Sequence, residues 1–339
     1  MTHATTMAFI GDLIFDRRCS RAAEAGRPQD VWGDVQPLLR SVDAVIANLE
    51  VPLTSTPRRW RRTFKPVRLR AVPAAVNLLT AANVAFVNFA NNHTLDSEVE
   101  GLAETLAVLD GAGIAHAGAG LDAEEAARPA LFQVAGLTIG AIALTDNTPA
   151  FAAGPGRAGS NYMRIDDDSR TMARVAAEVR GLRAAGAQTV ILSAHWGPNL
   201  RPWPPARFRR FARAAIDCGV DVFHGHSAHI VQGVERRGDG VILYDTGDFI
   251  DDIWWFPFLP FFTGGVFLVD FVDGRVGGLR VVPVVLHPGR VRLARGAFHR
   301  RMISRLSRLS PPGGRAEQAA PEAGHFTAEP AVAAAASEA

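Results

Sequence analysis

Cysteine is scarce in this chain of 339 residues, which contains only Cys19 and Cys218. Two thiols so far apart in the sequence form neither a disulfide framework nor a cysteine-rich zinc site. The sequence also lacks a run of about 18 apolar residues, which excludes a recognisable membrane span. The N-terminal stretch MAFIGDLIF is too short for a secretory leader and is interrupted by Asp12. We therefore expect a cytoplasmic protein with no signal peptide or transmembrane segment.

Net charge is low as well. The formal value is +2, which gives no reason to expect nucleic acid as a partner. Basic residues nevertheless cluster in Arg58, Arg59, Arg61, Arg62 and Lys65, and again in Arg300, Arg301, Arg305 and Arg308. A run of arginines is usually a solvated surface, but guanidinium groups also pair with carboxylates and phosphates. The first cluster is therefore either solvated or in contact with an anionic substrate.

Short apolar runs alternate with helix-like segments along the chain. The runs predicted as strands are Met7–Ile10, Ala44–Ala47, Val84–Phe89, Thr189–Leu192 and Val220–Phe223. The segments predicted as helices, from apolar residues near the helical period, are Ala74–Ala82, Ser97–Ala112, Ser169–Ala185 and Ala206–Cys218. This alternation predicts an α/β fold with a largely parallel, buried sheet.

Further strands and a tail flank this core. Strand-like runs at Ala130–Thr145 and Val241–Tyr244 are followed by two more, Gly265–Phe271 and Leu279–Leu286, joined by a turn at Asp273-Gly274. From about Ser310 onward the composition changes to Pro, Gly, Ala and Glu. We therefore predict one domain over residues 1–309 and a disordered tail over residues 310–339.

Polar side chains stand where the predicted strands end. They are Asp12, Glu50, Asn92, His93, His195, His226 and His229. Each of them alone is weak evidence, because a polar residue after a strand is more often part of a turn. In open α/β sheets, however, ligands bind beyond the carboxyl ends of the strands, where distant residues converge. The repeated coincidence therefore predicts a common site.

The residue types in this set point to a metal centre. Carboxylate, amide and imidazole groups suit zinc, manganese or iron. Glu50 has two oxygens and so can bridge two ions, and His226 and His229 are close enough to serve neighbouring ions. Two ions roughly 4 Å apart clamp an attacking water and a developing oxyanion. His93 follows Asn92 and is placed to protonate a leaving group.

These segments resemble the CapA family of capsule-synthesis and poly-gamma-glutamate biosynthesis proteins, whose fold is of the calcineurin-like metallophosphatase type. The resemblance is carried by FIGDLIFDR, ANLEVPLT, FANNHTLD, SAHWGPN, FHGHSAHIVQGVE and ILYDTGDFIDD, in that order over roughly residues 7–270. It implies a four-layer α/β/β/α sandwich, with two sheets packed face to face and helices outside. It also implies His93 as general acid and two ions, one held by Asp12, Glu50 and His229, the other by Glu50, Asn92, His195 and His226.

The chain departs from the metallophosphatase pattern at several positions. Leu13 and Ile14 follow Asp12 where a histidine ligand is usual, and Asp16 either replaces that ligand or caps a turn. Glu50 stands in place of an aspartate, and Asp248 in place of the family's asparagine. The two histidines of GHSAH are separated by two residues, and Ala228 replaces the family's usual proline. These changes allow two ions, one ion, or no tightly bound ion.

Four residues are candidates for substrate contact. Arg17 either contacts an anionic ligand or forms a surface salt bridge, and Lys65 and Arg70 lie in a segment that resembles the family's substrate-side loop. Trp196 follows His195 and either walls the site or packs in the core. An aromatic cluster within residues 253–269 likewise belongs to the core or to a lip beside the site.

Three functions remain open. The first is hydrolysis of a phosphoester or amide by a metal-activated water, in the biosynthesis of a capsule or poly-gamma-glutamate polymer. Its substrate is an anionic polymer or a small anionic compound, with membrane-associated capsule machinery as a possible partner. The second is a non-catalytic accessory or binding protein of polymer synthesis or export, suggested by the missing histidine after Asp12. The third is a cytoplasmic metallophosphoesterase with another substrate; a nucleic-acid phosphodiesterase is the least expected form of it.

Overall fold

The computed structural model describes residues 4–165, 169–253, 263–310, 316–318 and 326–328. The first strands are β1 (Ala4–Ile14), β2 (Ala44–Leu49), β3 (Val84–Asn88), β4 (Ala115–Ala117), β5 (Ala119–Gly120), β6 (Ala130–Val134), β7 (Leu137–Thr145) and β8 (Gly159–Ser160). They are followed by β9 (Thr189–His195), β10 (Val222–His226), β11 (Val234–Arg237), β12 (Gly240–Leu243) and β13 (Asp248–Asp251). The last are β14 (Thr263–Val272), β15 (Arg275–His287), β16 (Arg290–Leu293), β17 (Ala316–Gln318) and β18 (Phe326–Ala328).

Helices lie between these strands. They are α1 (Arg17–Glu24), α2 (Gln29–Trp32), α3 (Gln36–Ser41), α4 (Val76–Ala81), α5 (Glu98–Gly111), α6 (Ala123–Ala127), α7 (Ser169–Ala184), α8 (Ala206–Asp217) and α9 (Gly296–Leu309). In α8, Phe208, Phe211, Ala212 and Ala215 are buried, at the spacing that puts them on one side of a helix. No helix in the described part of the chain is long and apolar enough to cross a membrane.

Most of the strands form two mixed sheets, and β5 and β8 pair as a separate two-stranded sheet. The first has the order β17-β18-β15-β14-β1-β2-β3-β4, with β13 also paired to β1 and β16 to β15. The second has the order β11-β12-β10-β9-β7-β6. In the first sheet β13, β1, β2, β3 and β4 pair in parallel, and in the second β7, β9, β10 and β12 do so. The strands that carry the candidate site residues therefore run in parallel and end at one edge of each sheet.

Successive side chains of a strand point to opposite faces of its sheet, so each sheet has two apolar faces that pack against other layers. In β1, Met7 and Phe9 belong to a core between the two sheets, together with Ile139 and Val222 of the second sheet. The alternate residues Ala8 and Ile10 face the other way, into a core shared with the helices outside the first sheet.

A third core packs α7 and α8 against the outer face of the second sheet. Three cores between four layers confirm the predicted α/β/β/α sandwich. Burial of each large apolar side chain stabilises such a core by roughly 1.5–3 kcal/mol.

Most of the predicted elements are present, with corrections at their boundaries. The strand predicted at Met7–Ile10 continues to Ile14, so Asp12 lies within β1 rather than after it. The run Ala130–Thr145 is two antiparallel strands joined at Ala135 and Gly136. The turn between β14 and β15 is at Asp273-Gly274, as predicted, with both residues at positive φ.

The C-terminal segment differs in part from the expectation. Sequence reasoning did not identify α9, in which Met302, Leu306 and Leu309 are buried. Two short strands, β17 and β18, are described beyond Ser310. The predicted boundary at residues 309 and 310 and the predicted disorder of the tail stay predictions. Residues 254–262, which hold most of the aromatic cluster, lie outside the described residues.

Candidate metal centre

The strand ends bring the predicted ligands together. Asp12 lies in β1 and Glu50 directly follows β2, while His195 and His226 are the last residues of β9 and β10. Because β9 and β10 are parallel neighbours, His195 and His226 stand side by side in register. A Cβ atom on Gly11 would lie 1.6 Å from the carbonyl oxygen of Gly247, so only glycine allows this close approach beside Asp12.

One group of candidate ligands contains Asp12, His195 and His226. The Oδ1 atom of Asp12 is 3.6 Å from Nδ1 of His226 and 3.9 Å from Nδ1 of His195. The amide nitrogen of Asn48 donates to the same Oδ1 atom at 2.7 Å. The Nε2 atom of His226 contacts the Ser193 hydroxyl at 3.0 Å, which leaves Nδ1 facing the carboxylate.

A second group contains Asp12, Glu50 and His229. The Nδ1 atom of His229 is 3.6 Å from Oδ2 of Asp12 and 2.8 Å from Oδ1 of Asp248. Asp12 therefore belongs to both groups, one through each carboxylate oxygen. In the ligand sets implied by the resemblance Glu50 was the shared residue. Its Oε1 atom is in fact 3.8 Å from Nε2 of His195, so it too lies between the groups.

The loop after β10 is held in a strained backbone conformation. Ser227 and His229 have φ values of 105° and 59°, a region that residues other than glycine rarely adopt. The carboxylate of Asp245 accepts from the backbone N–H of Ala228 at 2.8 Å, and that of Asp12 accepts from Ser227 at 3.2 Å. These bonds fix the loop with His229 turned toward the carboxylates.

Several buried polar atoms of the predicted ligands have no hydrogen-bond partner among the described residues. They are both carboxylate oxygens of Glu50, Oδ1 of Asn92 and Nε2 of His195. Burying such groups without partners costs several kcal/mol, roughly 1–3 for a neutral group and more for a charge. A carboxylate, an amide oxygen and an imidazole nitrogen are all donors that a divalent cation accepts. The residues present therefore fit the metal that the sequence predicts.

Burial controls the charges of the imidazoles. Burial lowers the pKa of His195 and of His226 well below the ordinary value, so both rings are neutral near pH 7. A neutral imidazole is the form that binds a metal ion. Burial acts in the same direction on His229, but the neighbouring carboxylates of Asp248 and Glu50 outweigh it and raise its pKa well above the ordinary value.

Burial acts on the carboxyl groups in the opposite direction. It raises the pKa of Asp12 to about 7, and the charge of Asp248 adds to that effect. Burial, followed by the charge of Asp12, raises the pKa of Glu50 well above the usual range. Two buried carboxylates so close together repel each other, and a cation between them removes that repulsion.

His93 lies beside the ligand groups and is oriented by a carboxylate. Its Nε2 atom is 3.7 Å from Oε1 of Glu50, and its Nδ1 atom is 2.5 Å from Oδ2 of Asp96. Lys65 lies 3.3 Å from the other Asp96 oxygen and donates to the Asn92 carbonyl at 2.6 Å. Asp96 thus holds the ring with Nε2 turned toward the site. Burial lowers the pKa of His93, and the charge of Asp96 opposes that shift.

Four supporting residues were not singled out as part of the site from the sequence. Asn48 and Asn91 form a buried network behind Asp12, in which the Asn91 amide donates to Asn48 at 3.2 Å. Asp96 orients His93, and Asp245 orients the loop after β10. The available signal was their position, because each stands within one of the short motifs that carry the family resemblance.

Asp16, Arg17 and Arg70 lie outside both ligand groups. Asp16 precedes α1 without a capping hydrogen bond from its side chain, so neither role considered for it is seen in its contacts. Arg17 is exposed, and Arg70 donates to the carbonyls of Ser55 and Thr56 at 3.3 and 3.0 Å. Their predicted roles in ligand and substrate binding stay predictions.

Of the two roles considered for Trp196, the structure shows packing in the core. Its side chain packs against Phe208, Phe211 and Phe223, and its indole N–H donates to the Tyr244 carbonyl at 3.0 Å. The residue is 3% exposed. It therefore has the packing role, because its ring is enclosed by the core beneath the second sheet rather than turned toward the ligand groups.

These features define a class of protein: a two-sheet α/β sandwich with a buried cluster of histidines and carboxylates that could hold a metal ion. Residues 6–253 match the family described as "Bacterial capsule synthesis protein PGA_cap". The chain belongs to this family, which confirms the family resemblance of its motifs.

Named relatives agree with the family. The chain is 28% identical over 250 residues to the PGA biosynthesis protein CapA of Bacillus subtilis, with 73% of this chain and 63% of that protein covered. It is 25% identical to the capsule biosynthesis protein CapA of Bacillus anthracis, with 74% and 60% covered. It is 33% identical over 294 residues to a "Probable polyglutamine synthesis accessory protein" of Mycobacterium tuberculosis, with 82% and 76% covered. The chain thus spans less than two thirds of the two Bacillus proteins.

Among solved structures, the sulfate thiohydrolase SoxB from "Termus thermophilus" aligns with this chain, and the alignment covers 85% of this chain and 56% of the SoxB chain. The sequence identity is 12% and the TM-score is 0.44.

Proposed function

We propose that this protein is a metal-dependent hydrolase that cleaves a phosphoester or amide bond during the biosynthesis of an anionic capsule polymer. The observation that carries the proposal is a set of buried atoms on Glu50, Asn92 and His195 that could bind a metal and have no hydrogen-bond partner in the described part of the chain. A protein that only needed a stable core would not keep buried carboxylate oxygens unpaired.

Two divalent ions, of manganese, iron or zinc, would occupy this space. Asp12, His195 and His226 would hold one, and Asp12, Glu50 and His229 the other. Asn92 would add its free amide oxygen. Such ions supply, when bound, an activated water and charge stabilisation for a developing oxyanion.

His93 is the proton donor in this proposal. Hydrolysis adds water to phosphorus or to a carbonyl carbon and breaks the bond to an oxygen or nitrogen, which leaves with a proton. In its protonated form His93 gives that proton from Nε2, which faces the site, while the Asp96 carboxylate accepts a hydrogen bond from Nδ1–H and stabilises the charged ring. Lys65 fixes Asp96 and the Asn92 carbonyl, so the donor and a proposed ligand are held by one side chain.

The family supports the polymer context. Two relatives are named for PGA or capsule biosynthesis, and with PGA taken as poly-gamma-glutamate this context suggests an anionic chain or a small anionic precursor as the substrate. Membrane-associated capsule machinery is the partner that this context suggests. Lys65 and Arg70 lie on the loop segment that precedes α4 and remain the proposed substrate contacts.

The experiment is a hydrolysis screen on the full chain. Phosphoesters and γ-glutamyl amides are incubated with protein that has been treated with chelator, then with the same protein after manganese is restored. We expect the protein to hydrolyse one of the two substrate classes, and to do so only after manganese has been restored. Turnover that is the same with and without chelator would exclude the metal mechanism, as would inactivity toward both classes in protein shown to contain metal.

A second candidate is a non-catalytic binding protein of polymer synthesis. The observation that favours it is that Leu13 and Ile14, which follow Asp12 where a histidine ligand is usual, are buried in the core and offer no donor. If the protein has this function, its affinity for the polymer should not change when the candidate metal ligands are replaced.

A further inference from the structure

A cleft rich in arginine lies next to the candidate site, and its arginines take no part in the metal binding or proton transfer proposed above. Its volume is about 480 Å³, within the range of roughly 300–1,000 Å³ that is usual for ligand sites. Six arginines line it: Arg17, Arg21, Arg58, Arg59, Arg68 and Arg70. The acidic residues in the lining are Asp16 and Asp96. Positive charge therefore exceeds negative charge in the wall of the cleft.

Three separate segments of the chain supply these arginines. Arg17 and Arg21 are four residues apart in α1 and so share one side of that helix. Arg68 and Arg70 flank the buried Leu69, and both arginines are exposed and line the cleft. Arg58 and Arg59, in the loop before Trp60, complete the wall of the cleft. Like charges gathered from three segments repel one another, and that repulsion is relieved when an anion binds.

Several of the guanidinium groups are free or are held in place by backbone. Arg17, Arg21 and Arg59 form no salt bridge within the part of the chain that the structure describes. Arg68 donates from Nε to the Trp60 carbonyl at 2.9 Å, and Arg70 is fixed by two carbonyls of the same loop. These two groups are thus positioned in advance while other N–H donors remain available. Arg58 pairs with Glu100 at 2.9 Å, and both side chains are exposed.

The floor of the cleft reaches the proposed proton donor. Asp96 and Ser97 line the cleft, and Asp96 is the residue that orients His93. A chain bound in the cleft would lie beside Asp96, the residue that is bonded to His93. No aromatic residue is among those that line the cleft in the described structure, so there is no platform on which bases would stack.

We propose that this arginine cleft is a binding site for a chain of carboxylates, separate from the metal centre. Guanidinium groups pair with carboxylates in a bidentate manner, and repeated carboxylates along a chain match repeated arginines along the cleft. The choice of a polymer as ligand rests on the proposed function, whereas the binding of carboxylates by the cleft needs no metal.

The test measures binding of a fluorescent γ-linked glutamate decamer to the full chain at low ionic strength. The variant Arg17→Gln/Arg21→Gln removes two cleft charges, and a second variant, Arg58→Gln/Arg59→Gln, removes two from another segment. The matched control Arg300→Gln/Arg301→Gln removes two exposed arginines from α9. We expect each cleft variant to weaken binding about tenfold or more and the control to leave it within about twofold. All of these arginines are exposed, so thermal melts should match the wild type.

The possible outcomes separate this inference from the proposed function. Equal weakening in the cleft variants and the control would show non-specific attraction and overturn the inference. Displacement of the decamer by inorganic phosphate alone would indicate a small-anion site, and tighter cleft-dependent binding of a single-stranded oligonucleotide would indicate nucleic acid; either result would overturn it too. Full binding in the His195→Ala/His226→Ala variant supports a separate cleft, even if the hydrolysis screen fails.

Discussion

The His93→Gln variant is expected to turn over substrates with poor leaving groups about 100-fold more slowly than the wild type, or slower still. Glutamine can keep a hydrogen bond to Asp96 but cannot give up a proton. The nitrophenolate group of a nitrophenyl ester leaves readily as an anion and needs little protonation. The rate on such esters should therefore fall by less than about tenfold. The measurement is kcat for an activated and an unactivated ester or amide of the same acid, in the metal-loaded protein.

The control for this prediction is His116→Gln. His116 is bonded to Asp110 at 3.0 Å and lies outside both ligand groups, so its replacement should leave both rates near the wild-type values. Metal content should be unchanged in the His93 variant. If both leaving groups lost the same factor, His93 would be acting on the structure of the site and not as a proton donor.

The Glu50→Gln variant is expected to be more stable than the wild type without metal and to lose stabilisation by metal. Both carboxylate oxygens of Glu50 are buried without partners, and burial together with the charge of Asp12 raises its pKa. An acid whose pKa is raised on folding destabilises the folded protein at pH values above its ordinary pKa. Removing that group should raise the free energy of unfolding by about 1–3 kcal/mol at pH 7 in the presence of chelator.

Adding metal should make the wild type more stable than the Glu50→Gln variant. At a concentration of 100 times Kd a bound ion stabilises the wild type by about 2.7 kcal/mol. The variant lacks a ligand and should gain much less. Glu178→Gln is the control, since it also removes a carboxylate with a raised pKa, but this carboxylate is half-buried, pairs with Arg174 and lies in α7, away from the site. An apo variant less stable than the wild type, with an undiminished gain on adding manganese, would refute this account of Glu50.

The candidate ligands His195 and His226 were predictable because they stand at the ends of parallel strands. His195 and His226 end adjacent strands, so their meeting follows from the α/β pattern alone. The shared role of Asp12 was not predictable, because it depends on which oxygen each imidazole faces. The sequence also does not reveal the carboxylate of Asp96 behind His93, since an aspartate three residues after a histidine is an ordinary turn residue.

Trp196 and α9 show a different limit. A tryptophan next to a ligand can face the site or the core, and only the packing of Phe208 and Phe223 around it decides between them. In α9 five of the 14 residues are exposed arginines or serines and only three residues are buried, which is too few to separate a helix from a solvated basic segment before its packing is known. Tertiary contacts, which local patterns do not contain, settle both cases.

The central claim is that the buried cluster of Asp12, Glu50 and the histidines holds divalent metal. The most direct test is elemental analysis of protein purified without chelator, for the wild type, for His195→Ala/His226→Ala, and for the control His116→Ala/His287→Ala. We predict about two equivalents of manganese, iron or zinc in the wild type and the control, with most of it lost from the first variant. Wild-type protein with no metal, and with no gain in melting temperature when manganese is added, would contradict the account and favour the non-catalytic binding protein.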